Sequence, residues 1–291
     1  MSLLQSKASI SEREFLIFKE YIAKVSGIVI PVEKTYFIET RLSRFIAEAG
    51  VNSFSELYQY IISGKDPDIE QKIVNAVVVN ETLWFRDNVI WNALEEIFLP
   101  RLIDELLSGK KTQVKIWCSA VSTGQEAYST AMCIDNYLKV NNIKGVKLSD
   151  FSINATDISN HVLDIARKGR YDKISIRRGL SDYYKEKYFT TDGLAWDIDL
   201  NIRDAVQFRH FDLRNSFSIL GQFDIIFCRY VLIYFSPSLK KEILKKLHNA
   251  LYDDGILFTG FYALYEYTDD LFSVDHFDSL SYYSKKEVLT S

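Results

Sequence analysis

Arg86 sits in the run Asn80-Glu81-Thr82-Leu83-Trp84-Phe85-Arg86-Asp87, where polar groups interleave with large aromatics between two helical segments. A guanidinium can grip a carboxylate through two parallel N–H···O bonds while aromatic rings exclude water, so this run qualifies as one wall of a ligand site. It qualifies equally as a hinge, its aromatics plugging a gap between domains and its arginine solvated. A second place for chemistry is Ser122-Thr123-Gly124, between the alternating Val114, Ile116 and Cys118 and the helically spaced Ala131, Ile134 and Leu138. Strand, glycine turn and helix make the first half of a nucleotide-type crevice. With one glycine instead of a G-x-G-x-x-G series, nothing indicates a pyrophosphate pressed onto the backbone, and an ordinary strand-to-helix turn reads as well. A third place is Asp157, at the carboxyl end of a predicted strand over 151–156. A carboxylate there can accept both hydroxyls of a ribose, or can cap the helix that begins near Ser159.

Composition narrows the classes. The chain has 291 residues, 47% hydrophobic and 25% charged, which suits one large or two ordinary folded domains. A formal charge of -4 argues against bulk nucleic-acid binding. No apolar run reaches membrane-spanning length, and the opening MSLLQSKASISE lacks a signal peptide's apolar core. Cys118, Cys133 and Cys228 are odd in number and widely spaced, which fits buried thiols of a reducing compartment, and the four histidines are scattered. The expectation is a protein of the cytoplasm without a metal centre.

The elements that must position these residues follow from periodicity. Residues 1–79 read as a helical domain. Its first helix carries Phe15, Phe18, Tyr21, Ile22 and Val25 up to Gly27; the second runs from about Glu33 to Ala49 and buries Phe37, Ile38, Leu42 and Phe45. Ser53 and Glu56 have capping-box spacing for a third helix, and Asp66-Pro67 opens a fourth with proline in its first turn. Lys34, Arg41 and Arg44 share one face: a solvated surface, or a docking face for an acidic partner. Residues 80–88 link to a second domain spanning 89–291, which opens with an amphipathic helix over 89–107. After the βα rhythm of 113–168, residues 170–205 read as an inserted excursion of small strands and turns. The rhythm resumes at Val206-Gln207-Phe208 and at Phe223–Cys228, apolar enough for a central parallel strand. A helix then runs from Ser236-Pro237 through Leu251, Asp253-Asp254-Gly255 turns, and Ile256–Thr259 forms another strand.

Four motifs in this order, VNETLWFRD (79–87), WCSAVSTGQEAYS (117–129), ATDISNHVLDIARKGRY (155–171) and FDIIFCRYVLIYF (223–235), stand behind a helical domain holding SGIVI (26–30) and RLSRF (41–45). Together they resemble the CheR family, methyltransferases that use S-adenosylmethionine to esterify glutamates of bacterial chemoreceptors. The resemblance implies an α/β architecture: a helical N-terminal domain, then a doubly wound, Rossmann-like class I methyltransferase domain with a small antiparallel β insertion. It implies that Asn80, Thr82 and Arg86 contact the cofactor from the linker, and that Glu126 holds its methionine amino group. Asp157 would take the ribose hydroxyls, Asp212 and Leu213 would meet the adenine, and Arg229 and Tyr230 would line the pocket. Tyr234 would stand near the transferred methyl, and Arg86 near the incoming carboxylate. The product would be S-adenosylhomocysteine. The partners would be cytoplasmic domains of methyl-accepting chemotaxis proteins, with Lys34, Arg41 and Arg44 as the docking face. The chemistry asks little more, since a glutamate with a pKa of about 4.3 is already the nucleophile at neutral pH and needs no base. The lack of a convincing Ser-His-Asp or Cys-His constellation agrees with this.

The sequence departs from the family pattern at four places. Gln125-Glu126 replaces paired glutamates and Ala127 a proline; Tyr230 replaces an asparagine; Asp212 stands where asparagine is common. Gly260-Phe261-Tyr262-Ala263 lacks the family's histidine-serine-glutamate. These changes leave open a non-catalytic module sensing S-adenosylmethionine or S-adenosylhomocysteine, and a methyltransferase with a different carboxylate acceptor.

Overall fold

A computed structural model describes residues 9–261 and 270–286. The departure noted at Tyr262-Ala263 lies outside them. The chain divides into two units: one holds the residues up to Val79 together with Tyr234–Leu239, the other Asn80–Ile233 and the residues from Lys240 onward.

The first unit is helical. Helix α1 (Glu12–Ser26) starts at a full capping box, Ser11 accepting from the Glu14 amide and Glu14 answering on the Ser11 backbone. A 3₁₀ turn (Val32–Lys34) precedes α2 (Thr35–Glu48), so the predicted second helix begins as a tighter turn. Helices α3 (Phe54–Ile62) and α4 (Ile69–Val77) complete the set. Phe15, Phe18, Ile38, Leu42, Phe45, Phe54 and Ile73 fill one core; Phe37, expected inside, is only partly buried beneath Arg41. Two cap assignments need correction. Ser53 does accept from the Glu56 amide, but the Glu56 carboxylate takes the amide of Asn52 instead of Ser53. Pro67 precedes the α4 cap residue Asp68, and the turn into the helix is made by Asp66 accepting the Asp68 amide. The Tyr234–Leu239 segment joins this unit through an Ile28–Phe235 bridge and a 2.8 Å bond from the Val29 amide to the Tyr234 carbonyl.

The second unit opens with a helical run: α5 (Asn88–Ala93), a π turn (Leu94–Phe98) and α6 (Leu99–Leu107). The wider turn ends just before Pro100, which lacks the amide that an α-helical bond to Glu96 requires. Then follow β1 (Val114–Ser119), α7 (Gln125–Val140), β2 (Phe151–Asp157) and α8 (Asn160–Lys168). The 170–205 excursion holds β3 (Arg170–Tyr171), α9 (Lys173–Arg177), α10 (Asp182–Tyr188), β4 (Phe189–Thr191), β5 (Trp196–Ile198) and α11 (Leu200–Asp204). Its strands form an antiparallel sheet, order β3-β5-β4. Half of its elements are short helices, each opened by an aspartate or serine cap (Asp172, Ser181, Asp199) that an expectation of strands and turns passes over.

The chain closes with β6 (Val206–His210), β7 (Phe223–Phe227), α12 (Pro237–Ala250), β8 (Leu251–Phe258), β9 (Phe272–Phe277) and β10 (Leu280–Lys285). Asp253-Asp254-Gly255 is not a separate turn. It lies within β8, where Phe223 pairs with Leu251 and Ile225 with Ile256, so the intervening residues bulge out of register. The main sheet has the order β6-β2-β1-β7-β8-β10-β9, with β9 and β10 antiparallel at one end. Because β1 pairs in parallel with both β2 and β7, the chain winds outward from β1 in two directions. The crevice for a ligand therefore opens at the carboxyl end of β1. Helix α7 is buried along most of its length from Gln125 to Ile134, and the three cysteines are buried and free. Among the described residues no helix is long and apolar enough to cross a membrane, and no group of side chains could hold a metal.

Candidate active site

At the carboxyl end of β1 the chain turns sharply, with Ala120 at φ 63° and Ser122 at φ 53°, in the left-handed region. Conformations of this kind cost about 1–3 kcal/mol each outside glycine and persist only where the surroundings hold them. Here the Val121 amide donates to the Thr156 carbonyl at 3.0 Å, the Ser122 amide to Asp157 Oδ2 at 2.8 Å, and Ser122 Oγ to the Asn80 carbonyl at 2.9 Å. Gly124 begins α7 at φ 94°, and a Cβ there would lie 2.9 Å from that of Ala166, so close helix packing as well as conformation demands glycine.

Asp157 is buried, and its oxygens accept from the Ser122 and Ser159 amides. Ser159, not Asp157, caps α8, its Oγ accepting from the Val162 amide, so the capping alternative for Asp157 falls away. Burial pushes the Asp157 pKa up, the amide bonds opposing it in part. The Phe211 amide donates to the Asp157 carbonyl at 2.9 Å, which brings the loop after β6, with Asp212 and the buried Leu213, beside it. Both Asp212 oxygens are held by the side chain of Arg214, so its carboxylate faces a guanidinium.

The charged centre is a chain of four side chains from three parts of the sequence. Arg229, 2% exposed, donates from Nη1 to Glu126 Oε2 at 2.9 Å and from Nη2 to Asp87 Oδ2 at 2.7 Å. Nη2 also reaches the Arg86 carbonyl at 2.6 Å, which accepts from Trp91 Nε1 as well. Tyr230 donates its hydroxyl to Asp87 Oδ2 at 2.7 Å, and the Arg86 guanidinium carbon stands 3.7 Å from the centre of the Tyr230 ring. Arg86 is flanked by Phe85 at φ 47° and Asp87 at φ 61°. That twist is held by the Ser129 hydroxyl on the Phe85 amide and by the docking of Trp84, whose amide and indole donate to the Arg178 and Ser175 carbonyls. Burial raises the Glu126 pKa and Arg229 offsets it only in part, so this carboxylate is short of positive charge. Asn80 Oδ1 and Arg229 Nε are buried without a partner. A buried carboxylate and two polar atoms without a partner among the described residues fit a ligand that carries an ammonium and several hydrogen-bonding groups.

Asn80, Arg86, Glu126, Asp157, Arg229 and Tyr230 are thus linked through this loop and charge chain, and half-buried Thr82 lies on the same segment. Tyr234 ends a 3₁₀ turn (Leu232–Tyr234) and belongs to the first unit. The reading of the sequence gave no role to the side chains of Asp87 and Ser122. Asp87 had a signal, an acid next to the arginine of an aromatic-rich run; Ser122 had none beyond its place before the glycine.

A parallel sheet reversing at β1, an acid at the end of β2 and a cation-seeking carboxylate at the start of α7 define a class I methyltransferase type of α/β domain. Residues 80–275 match the CheR methyltransferase SAM binding domain, and residues 13–78 the CheR methyltransferase all-alpha domain. Chemotaxis protein methyltransferase 1 of Pseudomonas aeruginosa is 37% identical over 253 residues, covering 87% of this chain and 90% of that one. Chemotaxis protein methyltransferase 1 of Vibrio cholerae is 38% identical over 253 residues, 87% and 89% of the two chains. The chain belongs to the CheR methyltransferase family, and it is an S-adenosylmethionine-dependent methyltransferase.

Proposed function

We propose that this enzyme acts in chemotaxis, in the cytoplasm, transferring a methyl group to glutamate side chains of chemoreceptors. The observation that carries the reading is Arg86: its guanidinium lies on an aromatic ring, near enough to Glu126 to favour that carboxylate's charged form but in no direct ion pair among the described residues. An arginine so placed is ready to take a carboxylate from outside. Residues 80–88 are then a linker that contributes to the cofactor site, with Asn80, Thr82 and Arg86 reaching the cofactor. Glu126 takes the ammonium of the methionine part, Asp157 the ribose, and Leu213 with the Asp212 backbone the base. Arg229 sets the position of Glu126, and the Tyr230 backbone lines the pocket. Bound S-adenosylmethionine supplies a methyl on a positively charged sulfur, an electrophile that an ionised glutamate can attack directly. The protein's share is alignment and exclusion of water, for which proximity alone can contribute about 7–11 kcal/mol. Arg86 orients the acceptor, and no covalent enzyme intermediate forms.

The test is transfer of labelled methyl from S-adenosylmethionine to receptor-bearing membranes, followed by alkali. Label that is released as methanol marks a carboxyl ester; alkali-stable label rejects the glutamate acceptor. A second reading, a sensor that binds cofactor without transfer, is favoured by the Asp212–Arg214 pairing, which withdraws the Asp212 carboxylate from a base. Binding of cofactor by calorimetry with no label on any carboxylate acceptor would select it.

A further inference from the structure

Two residues beside Arg86 have no part in the reading above beyond a backbone lining, yet their side chains converge on it. The Arg86 guanidinium carbon is 3.7 Å from the Tyr230 ring centre, the spacing of face-to-face contact. Every N–H of a guanidinium lies in its own plane, so stacking leaves all of its donors off the ring and open to a carboxylate. The ring is held by its hydroxyl, bound to Asp87 Oδ2 at 2.7 Å, and by packing against Gly260, where an added Cβ would lie 2.9 Å from the hydroxyl-bearing edge. Asp87 in turn is fixed by buried Arg229 at 2.7 Å.

We propose that Tyr230 and Asp87 are positioning residues that form a seat for Arg86, holding its guanidinium flat with its edges free to grip the carboxylate that receives the methyl group. A side chain without a ring at 230 would offer no such contact, so Tyr230 fixes Arg86 by stacking. Phe85 and Asp87, both left-handed, direct the Arg86 side chain onto that ring. The inference rests on the proposed methyl transfer to a carboxylate.

The experiment compares the full-length wild type with Tyr230→Phe and Tyr230→Leu. It reads S-adenosylmethionine affinity by calorimetry, kcat and acceptor KM by labelled methyl transfer, and the Arg86 Nε–Hε resonance by NMR, assigned with Arg86→Lys. A guanidinium over a ring gives an upfield-shifted Hε. The shift is expected in wild type and Tyr230→Phe and lost in Tyr230→Leu. Turnover should stay within about threefold for phenylalanine and fall about tenfold or more for leucine with a raised acceptor KM, since misorientation acts on the reacting geometry. Cofactor affinity should change by no more than about threefold in both, the contact being to Arg86. Equal turnover in the two variants overturns the seat, and so does a large loss of cofactor affinity in both, which would put the side chain on the cofactor. Should the leucine variant not fold, an unshifted Hε in wild type overturns it without any variant. The NMR signature needs neither cofactor nor acceptor, so a wild type that shows it while transferring no methyl rejects the function and keeps the seat.

Discussion

Arg229 is the residue on which the charge chain turns. Its guanidinium is nearly inaccessible and pairs with two carboxylates, Glu126 and Asp87, that lie 103 and 142 residues before it in the sequence. Breaking a buried pair from one side leaves charge without compensation, at about 3–5 kcal/mol. Arg229→Met is therefore expected to lower urea stability by about that amount and to abolish measurable cofactor binding. Glu126 and Asp157 carry a pH prediction. Both have pKa values raised by burial, so the folded protein binds more protons than the unfolded chain as pH falls through those values. Their contribution to apo stability accordingly grows on acidification, opposite to an ordinary paired carboxylate. Cofactor affinity moves the other way, because a protonated Glu126 cannot hold an ammonium, and the loss should begin above the usual carboxylate range of about 4. Calorimetry across pH checks this; Glu126→Gln should be weak and nearly flat. At this scale the motifs singled out Arg86, Glu126, Asp157, Arg229 and Tyr230, which the fold links through one loop and one charge chain. That Asp87 joins them was not legible, because its partners Arg229 and Tyr230 lie 142 and 143 residues away and only the fold brings them near.

Among the elements, those with strong periodicity were readable and those shaped by a local exception were not. Helices α1 and α7 and strands β1, β2 and β7 follow from spacing and length. The π turn before Pro100 leaves Ile97 exposed where regular spacing from Ile90 and Leu94 would bury it, and nothing in the sequence pattern of 89–107 reveals this. The bulge in β8 hides behind Asp253-Asp254-Gly255, residues that suit a turn equally well. The excursion shows the same limit, since five- and seven-residue helices are too short for periodicity to register. One of its glycines has a large role. Gly179 has φ 95°, and a Cβ there would lie 2.2 Å from the Trp84 carbonyl. Gly179→Ala should cost about 1–3 kcal/mol from the backbone conformation alone. It should also loosen Trp84, two residues from Arg86, so that turnover falls beyond what the denaturant midpoint accounts for; both are measured on the same preparation.

For the molecule as a whole, fold class and the succession of parallel strands could be read in advance because parallel strands buried on both faces are continuous apolar runs, whereas the antiparallel β9 and β10 were passed over. The grouping of Tyr234–Leu239 with the helical unit could not, since it depends on a bridge from Ile28 to Phe235 across the length of the sequence. Lys34, Arg41 and Arg44 are exposed and form no ion pair among the described residues. Arg41 and Arg44 rest instead on Phe37 and Phe45, leaving their charge for a partner. Reversing all three to glutamate is expected to raise the Michaelis constant for receptor, more strongly at low salt, with cofactor affinity unchanged. Receptor kinetics indifferent to the reversal would exclude this surface as the docking face.

Trp84 spans two functions, since it lies on the segment that carries Arg86 and has its ring against Tyr171 and Phe189 of the excursion. Excising or grafting the excursion would strand two donors and expose an indole in the segment that carries Arg86. Chimeras exchanged between relatives at this point will keep turnover only if residue 84 and its acceptors travel together. The excursion is thus not a detachable module but part of the mould in which Arg86 is cast.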